Sequence, residues 1–173
     1  GSSTVLKRMN RTYDREWYLN RINMIREIVP EMGLSSDMIA GFCGESEEDH
    51  KETLSLMEKV RFDMSYMFYY SERPGTLAAR KYEDDINLET KKRRLQEIIE
   101  LQTKHSLESN KKDIGKTFEV LIEGSSKKSK EDLKGRNSMN KMIVFPGNSK
   151  KAGEYVNVKV TDCTSATLLG EIV

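Results

Sequence analysis

Residues 36–49 read SDMIAGFCGESEED, and they decide how we expect the first part of the chain to fold. The apolar residues leading up to Gly41 predict a short strand, and Gly41 and Gly44 predict a turn after it. Ser46, with Asp49 three residues later, is spaced as a capping box, so we expect a helix to begin there. This pattern is typical of an α/β sheet, in which ligands bind at the carboxyl ends of the strands.

Asp37 is the residue of this strand that needs an explanation. It lies four residues before Gly41, and therefore on the same face of the strand. Because an unpaired carboxylate is costly to bury, an acid in an apolar strand needs a partner. A neighbouring basic side chain and the hydroxyl groups of a bound ligand both meet that need, and the stretch by itself does not choose between them.

The flanking sequence predicts an alternation of helices and strands. We expect helices over residues 14–29, 47–60 and 87–110, and strands over residues 36–41 and 64–70. This order implies a parallel sheet. The second strand is apolar on both faces, which predicts a strand that is covered on both sides.

The character of the sequence changes after residue 110. Residues 117–123, 142–145, 155–161 and 167–173 read as short strands with glycine, proline and lysine-rich stretches between them. Several short strands separated by turn signals predict a small barrel. We therefore divide the chain into an α/β part, residues 1–110, and an all-β part, residues 111–173.

These two parts differ in charge. Residues 1–110 carry 17 Lys and Arg against 20 Asp and Glu, whereas residues 111–173 carry 12 against 8. A basic module that follows an acidic one suggests nucleic acid as a partner, although a solvated lysine-rich surface has the same composition.

The composition also disfavours several classes of protein. No apolar run approaches the roughly 20 residues of a membrane span, and no signal peptide is evident, so we expect no membrane partner. Cys43 and Cys163 lie 120 positions apart and form no CxxC or Cys/His set. A disulfide scaffold, a zinc module and a complete iron–sulphur site are disfavoured, and a cytoplasmic location fits best.

Three stretches together carry a family resemblance. They are LKRMNRTY at residues 6–13, IAGFCGES at residues 39–46 and YSERPGTLAA at residues 70–79. In this order and spacing they resemble the methylthiotransferases of the radical S-adenosylmethionine (SAM) superfamily. GKTFEVLIEG at residues 115–124 resembles that family's TRAM module, an RNA-binding β-barrel. The implied fold is the C-terminal portion of a radical-SAM partial (β/α) barrel followed by a small OB-like TRAM barrel.

The resemblance implies an activity and its partners. The branch of the family that modifies tRNA adds a 2-methylthio group to isopentenylated adenosine beside the anticodon, using SAM and two 4Fe–4S clusters. The family's CxxxCxxC loop and N-terminal cluster domain lie upstream of every motif found here. We therefore expect a C-terminal part that is inactive alone and works with the remainder of the radical SAM domain, the cluster domain and tRNA.

Two other functions remain open from the sequence. One is the related enzyme that methylthiolates an aspartate of a ribosomal protein, and the other is a non-enzymatic RNA-binding module.

Cys43 departs from the family, which usually has proline there, and we expect a small buried side chain rather than a metal ligand.

The resemblance also assigns residues to the cofactor. Asp37 matches the position that accepts hydrogen bonds from the ribose hydroxyls, with a salt bridge to a neighbour such as Arg11 as the alternative. Arg11 matches the arginine that binds the methionine carboxylate, and its alternative is a surface position. We expect three apolar residues to lie either around the adenine or in the hydrophobic core, namely Ile39, Phe68 and Tyr70. Gly41 is expected to let the backbone approach the ligand.

Basic residues of the second part are candidate RNA contacts. Arg136, which follows Gly135 at an expected strand start, is the best single candidate. We place Phe118 and Phe145 in the core, and His50 and His105 on helix surfaces. The expected phosphate-binding set is Lys127, Lys128, Lys130, Lys134, Arg136 and Lys141.

Overall fold

The computed structural model describes residues 1–126, 129, 131–147 and 150–173, and these form two compact units, Gly1–Gln102 and Thr103–Val173. The helices are α1 (Ser3–Arg8), α2 (Arg15–Ile28), α3 (Glu47–Val60), α4 (Leu77–Lys81) and α5 (Leu88–Lys111). The strands are β1 (Ser35–Ala40), β2 (Met64–Tyr69), β3 (Thr117–Ser125), β4 (Asp132–Arg136), β5 (Met142–Pro146), β6 (Tyr155–Cys163) and β7 (Leu168–Ile172).

The first unit contains the predicted parallel sheet. β1 pairs with β2 in parallel, from Ser35 opposite Met64 to Ala40 opposite Tyr69. One face of the sheet packs against helices in a core that includes Met38, Met57 and Ile98. The strand–helix alternation expected from the sequence is confirmed.

The other face of this sheet is open. Tyr66 and Phe68 are both 57% exposed, and Ile39 of β1 is exposed beside them. The expectation that β2 is covered on both sides is therefore wrong for the described residues. The continuous apolar sequence of β2 correctly indicates two apolar faces, but the helices described here pack against one of them.

The turn after β1 forms as its sequence predicts. The Ser46 hydroxyl accepts a hydrogen bond from the Asp49 amide at 3.1 Å, and the Asp49 carboxylate accepts one from the Ser46 amide at 2.9 Å. This is a complete capping box at the start of α3.

The sequence did not predict α1 and α4, because helices of six and five residues are too short to display a period.

Both histidines are buried, so their expected surface positions are wrong. His50 is 1% exposed and its Nε2 lies 2.8 Å from Glu97 Oε2, which joins α3 to α5. His105 is buried as well. The sequence around His50 is strongly charged, and only the packing of the two helices reveals that this position faces inward.

The second unit is a closed five-stranded barrel in the order β3-β4-β5-β7-β6, which confirms the predicted small barrel. Phe145 lies in its core, and Phe118 packs against that core, as expected. Arg136 ends β4 instead of starting a strand. Gly135 lies against the β3 backbone, because a Cβ there would lie 2.4 Å from the Leu121 carbonyl oxygen.

The predicted domain boundary between residues 110 and 111 falls in the last turn of α5, whereas the compact units divide after Gln102. The boundary therefore stays a prediction.

Across the described ranges of the chain, no helix combines the length and the apolar character that a bilayer crossing requires.

Candidate functional site

A cavity of about 350 Å³ lies in the first unit, where β1, β2 and the segment around α1 meet. Four of the six residues predicted to bind the cofactor line it, although they come from three separate stretches of sequence. They are Arg11, Asp37, Ile39 and Phe68. Gly41 and Tyr70 are not part of its lining.

Asp37 lies exposed on the lining and is free to accept a ligand. Its alternative role, a salt bridge to Arg11, is not formed: within the described part of the chain, no ion pair includes the Asp37 carboxylate. Ile39 and Phe68 lie directly opposite each other in the parallel register, on the same face as Asp37. The cavity thus combines a carboxylate, a guanidinium and a flat apolar pair.

Gly41 acts as the turn that ends β1. Its φ of +72° is in the left-handed region that favours glycine, and its amide donates to Glu45 Oε1 at 3.0 Å. A Cβ at this position would lie 2.5 Å from Lys91 Cγ. In this structure it is the α5 side chain that approaches the Gly41 backbone.

Tyr70 belongs to a small interior cluster. Its ring packs edge-on against Phe42, with 4.9 Å between the centroids, and Lys91 Nζ lies 5.2 Å from the ring centroid. Burial of the hydroxyl, next to Cys43, raises the pKa of Tyr70 to about 12. The structure therefore places Tyr70 in the packing behind the turn.

Cys43 is buried, as the sequence predicted, at 1% exposure. Among the residues that the structure describes, no three or more His, Cys, Asp or Glu side chains are grouped so that they could hold a metal ion.

A buried ion pair that the sequence analysis missed anchors the turn after β1. Arg94 of α5 and Glu45 are both nearly inaccessible, at 4% exposure each. Arg94 Nη1 donates to Glu45 Oε1 at 3.0 Å and to the Glu45 carbonyl at 2.9 Å. Because Glu45 Oε1 also accepts from the Gly41 amide, α5 fixes the backbone at the end of β1.

Lys91 adds a second buried cation to the same helix face. Its Nζ lies 2.5 Å from Asp84 Oδ1. A signal for both cations was present in the sequence, since Lys91 and Arg94 precede Ile98 by seven and four residues. That spacing puts them on the apolar side of α5, where a cation needs an acidic partner.

Glu47 gives the first unit a defined acid sensitivity. Arg93 Nη2 donates to its carboxylate at 2.7 Å and Arg94 Nη2 at 3.1 Å, and these bonds lower the pKa of Glu47 from 4.5 to about 2. Since the folded state binds its proton less tightly than the unfolded state, the stabilisation is present above pH 4.5 and is lost as the pH falls toward 2.

We therefore expect Glu47→Gln to reduce the loss of stability between pH 4.5 and pH 2, measured by urea unfolding at each pH. Glu48→Gln, at an exposed neighbouring carboxylate, is the control and should leave the slope unchanged. Identical pH profiles for Glu47→Gln and the unmodified chain would contradict the role of this carboxylate.

The second unit uses two of the predicted RNA contacts within its own fold. Arg136 Nε lies 3.1 Å from Glu123 Oε1, and its Nη1 donates to the Asn140 carbonyl at 2.8 Å. Lys141 Nζ pairs with Asp113 Oδ2 at 2.6 Å. Lys134 is half-buried on β4. The remaining candidates, Lys127, Lys128 and Lys130, lie outside the described residues.

This barrel matches a known domain family. Its five strands all fall within residues 111–173, and the same residues match the family model of the TRAM domain. Residues 111–173 are therefore similar to TRAM domains. The module suggested by the sequence motifs is confirmed.

The whole chain, TRAM domain included, is similar to several curated proteins called tRNA-2-methylthio-N(6)-dimethylallyladenosine synthase. The relative from Amoebophilus asiaticus (strain 5a2) is 66% identical over 99% of this chain and 36% of its own length. The Flavobacterium johnsoniae relative is 55% identical over 100% of this chain and 36% of its own length. The Phocaeicola vulgatus relative is 54% identical over 99% of this chain and 38% of its own length. The resemblance to methylthiotransferases is confirmed, and the chain spans little more than a third of these relatives.

The TRAM domain also presents two lysines that the sequence analysis overlooked. Lys150 and Lys151 are exposed on the loop between β5 and β6. The Gly147 amide of this loop donates to the Glu131 carbonyl at 2.8 Å, which ties it to the loop between β3 and β4. Gly147 and Glu131 therefore lie at the same end of the barrel.

Proposed function

We propose that this chain is the C-terminal part of a cytoplasmic tRNA methylthiotransferase. In this proposal, residues 1–110 belong to a radical SAM partial (β/α) barrel and residues 111–173 to its TRAM domain. The complete protein adds a 2-methylthio group to isopentenylated adenosine next to the anticodon. The observation that carries the proposal is similarity along the whole chain, at 66% identity, to a relative named for that synthase activity.

The cavity in the first unit supports a SAM site, because its donor set fits the molecule. We assign the ribose hydroxyls to the Asp37 carboxylate, which can accept two hydrogen bonds without losing an existing partner. Arg11 offers a planar cationic fork to the methionine carboxylate. Ile39 and Phe68 offer the exposed apolar pair on which an adenine ring can lie.

The other two predicted residues act from behind the cavity. Gly41 holds the turn that ends β1, and Tyr70 packs against the segment that follows it. Bound SAM supplies the radical chemistry that functionalises an unreactive C–H bond. The described residues bind and orient it, and we place the ligands of the family's two 4Fe–4S clusters in other parts of the longer protein.

We assign tRNA to the basic side of the TRAM domain. Lys127, Lys128, Lys130 and Lys134 are proposed to contact phosphates, which would anchor the RNA without reading its sequence. Lys141 supports the fold through Asp113, and Arg136 orients the turn after β4 while about a third of its side chain remains accessible to RNA.

The activity is tested in the organism that encodes the complete protein. Deleting its gene is expected to remove 2-methylthio-isopentenyladenosine from tRNA and to leave isopentenyladenosine in its place, as measured by mass spectrometry of tRNA nucleosides. The intact gene should restore the methylthio group, and a gene carrying Asp37→Ala should not. A methylthio group that persists in the deletion strain would refute the proposal.

A further inference from the structure

We propose that the outer surface of β3 and β6 carries a base-stacking site for single-stranded RNA, with Tyr155 as its platform. This inference rests on the proposed tRNA substrate and adds the residue that holds an unpaired base. The surface lies on these two neighbouring strands of the barrel and includes residues 150–154, which lead into β6.

Tyr155 is available because no ring contact among the described residues of the barrel involves it. It begins β6, whose Val156, Val158 and Val160 point into the core, so the alternation of the strand turns Tyr155 outward. Its side chain is 63% exposed. A tyrosine in this position offers a rigid aromatic face to a ligand at little cost in conformational entropy.

Its neighbours extend the platform across three strands. Tyr155 lies opposite Leu121 of β3, which is itself exposed, and Leu121 lies opposite Arg136 of β4. The row therefore presents an aromatic ring, an aliphatic side chain and a guanidinium held by Glu123 and Asn140. Aromatic rings and arginine planes are the surfaces on which unpaired bases stack.

The lysine-bearing loop supplies the charge for the RNA backbone. Lys150 and Lys151 precede Tyr155 by five and four residues, and both are exposed. The loop is held in place because the Gly153 amide donates to the Ile122 carbonyl at 2.9 Å. Two cations thus lie within five residues of the aromatic ring, and grooves that bind single strands combine positive charge with aromatic rings in the same way.

The acidic residues on this surface leave it able to accept an anion. Glu154 is paired with Lys150 at 3.8 Å and Glu123 with Arg136 at 3.1 Å, whereas Glu119 is exposed opposite Asn157. The second unit as a whole carries 13 Lys and Arg against 9 Asp and Glu. This excess of positive charge favours an anionic occupant, and the exposed aromatic ring beside it suits the bases of RNA.

The test measures binding of a fluorescein-labelled tRNA anticodon stem-loop to the 173-residue chain by anisotropy, at several salt concentrations. Tyr155→Ala should weaken binding about 5- to 100-fold without changing the salt slope, because stacking contributes energy but no charge. Tyr155→Phe should retain the affinity. Lys150→Ala with Lys151→Ala should instead lower the slope, by about 0.7 log–log units for each lost phosphate contact.

Tyr66→Ala is the matched control, since Tyr66 is a similarly exposed tyrosine in the first unit, and it should bind RNA as the unmodified chain does. Normal RNA affinity of Tyr155→Ala, or equal losses for Tyr155→Ala and Tyr155→Phe, would overturn the stacking site while leaving the proposed function in place. The stacking site would also be overturned if Tyr155→Ala changed the sedimentation coefficient of the chain but not its RNA affinity. That result would mean that the surface joins two copies of the chain. If the unmodified chain does not bind the RNA, the stacking site and the proposed tRNA contact both fail.

Discussion

Replacing Asp37 with alanine in the complete, cluster-loaded protein is expected to weaken SAM binding by about 100- to 10,000-fold, because two hydrogen bonds to a charged carboxylate are lost and each contributes about 1.5–3 kcal/mol. The fold should be unaffected. Asp37 is exposed and takes part in none of the ion pairs among the described residues, so the free energy of unfolding should change by less than about 0.5 kcal/mol.

Isothermal titration of SAM into the purified protein measures this effect. Asp37→Asn keeps one acceptor oxygen and should give an intermediate loss. Glu58→Ala removes an exposed carboxylate of α3 that does not line the cavity, and it should leave the affinity unchanged. Equal affinities for Asp37→Ala and the unmodified protein would exclude the ribose assignment.

Replacing Arg94 with methionine should destabilise the first unit by about 3–5 kcal/mol, since it leaves the Glu45 carboxylate buried without its cationic partner. Urea unfolding followed by tryptophan fluorescence measures this loss. The single tryptophan, Trp17, lies in the first unit, so its signal reports on that unit separately from the barrel.

Arg93 provides a control at the adjacent position. Its side chain is 46% exposed and it also binds Glu47, but Arg93→Met should destabilise the unit far less than Arg94→Met does, because water screens the pair. Combining Arg94→Met with Glu45→Met should restore part of the lost stability, because the unpaired buried carboxylate is then removed. Equal effects of Arg93→Met and Arg94→Met would show that burial of the Arg94–Glu45 pair has no special importance.

The features that could be predicted from the sequence are those whose partners lie close together in the chain. The capping box joins Ser46 and Asp49, three residues apart, and the sequence placed it correctly. The glycine turn and the two parallel strands also follow from local pattern, and the barrel strands from their alternation.

The features that were missed depend on distant partners. Glu45 and Arg94 are 49 residues apart, and His50 and Glu97 are 47 residues apart. A charged residue in a polar helix is usually solvated, so only the folded arrangement reveals that these side chains face inward in pairs. The four residues that line the cavity were chosen by family resemblance, and it is the register of β1 and β2 that brings Ile39 beside Phe68.

The open face of the two-stranded sheet has a consequence for how this chain behaves in solution. Tyr66 and Phe68 stand on a pair of parallel strands, an arrangement that proteins seldom leave in contact with water. An exposed apolar surface of this kind favours non-native association between molecules. At high concentration we therefore expect the isolated chain to self-associate through this face. Hydrophobic dyes or detergents should compete for the same surface.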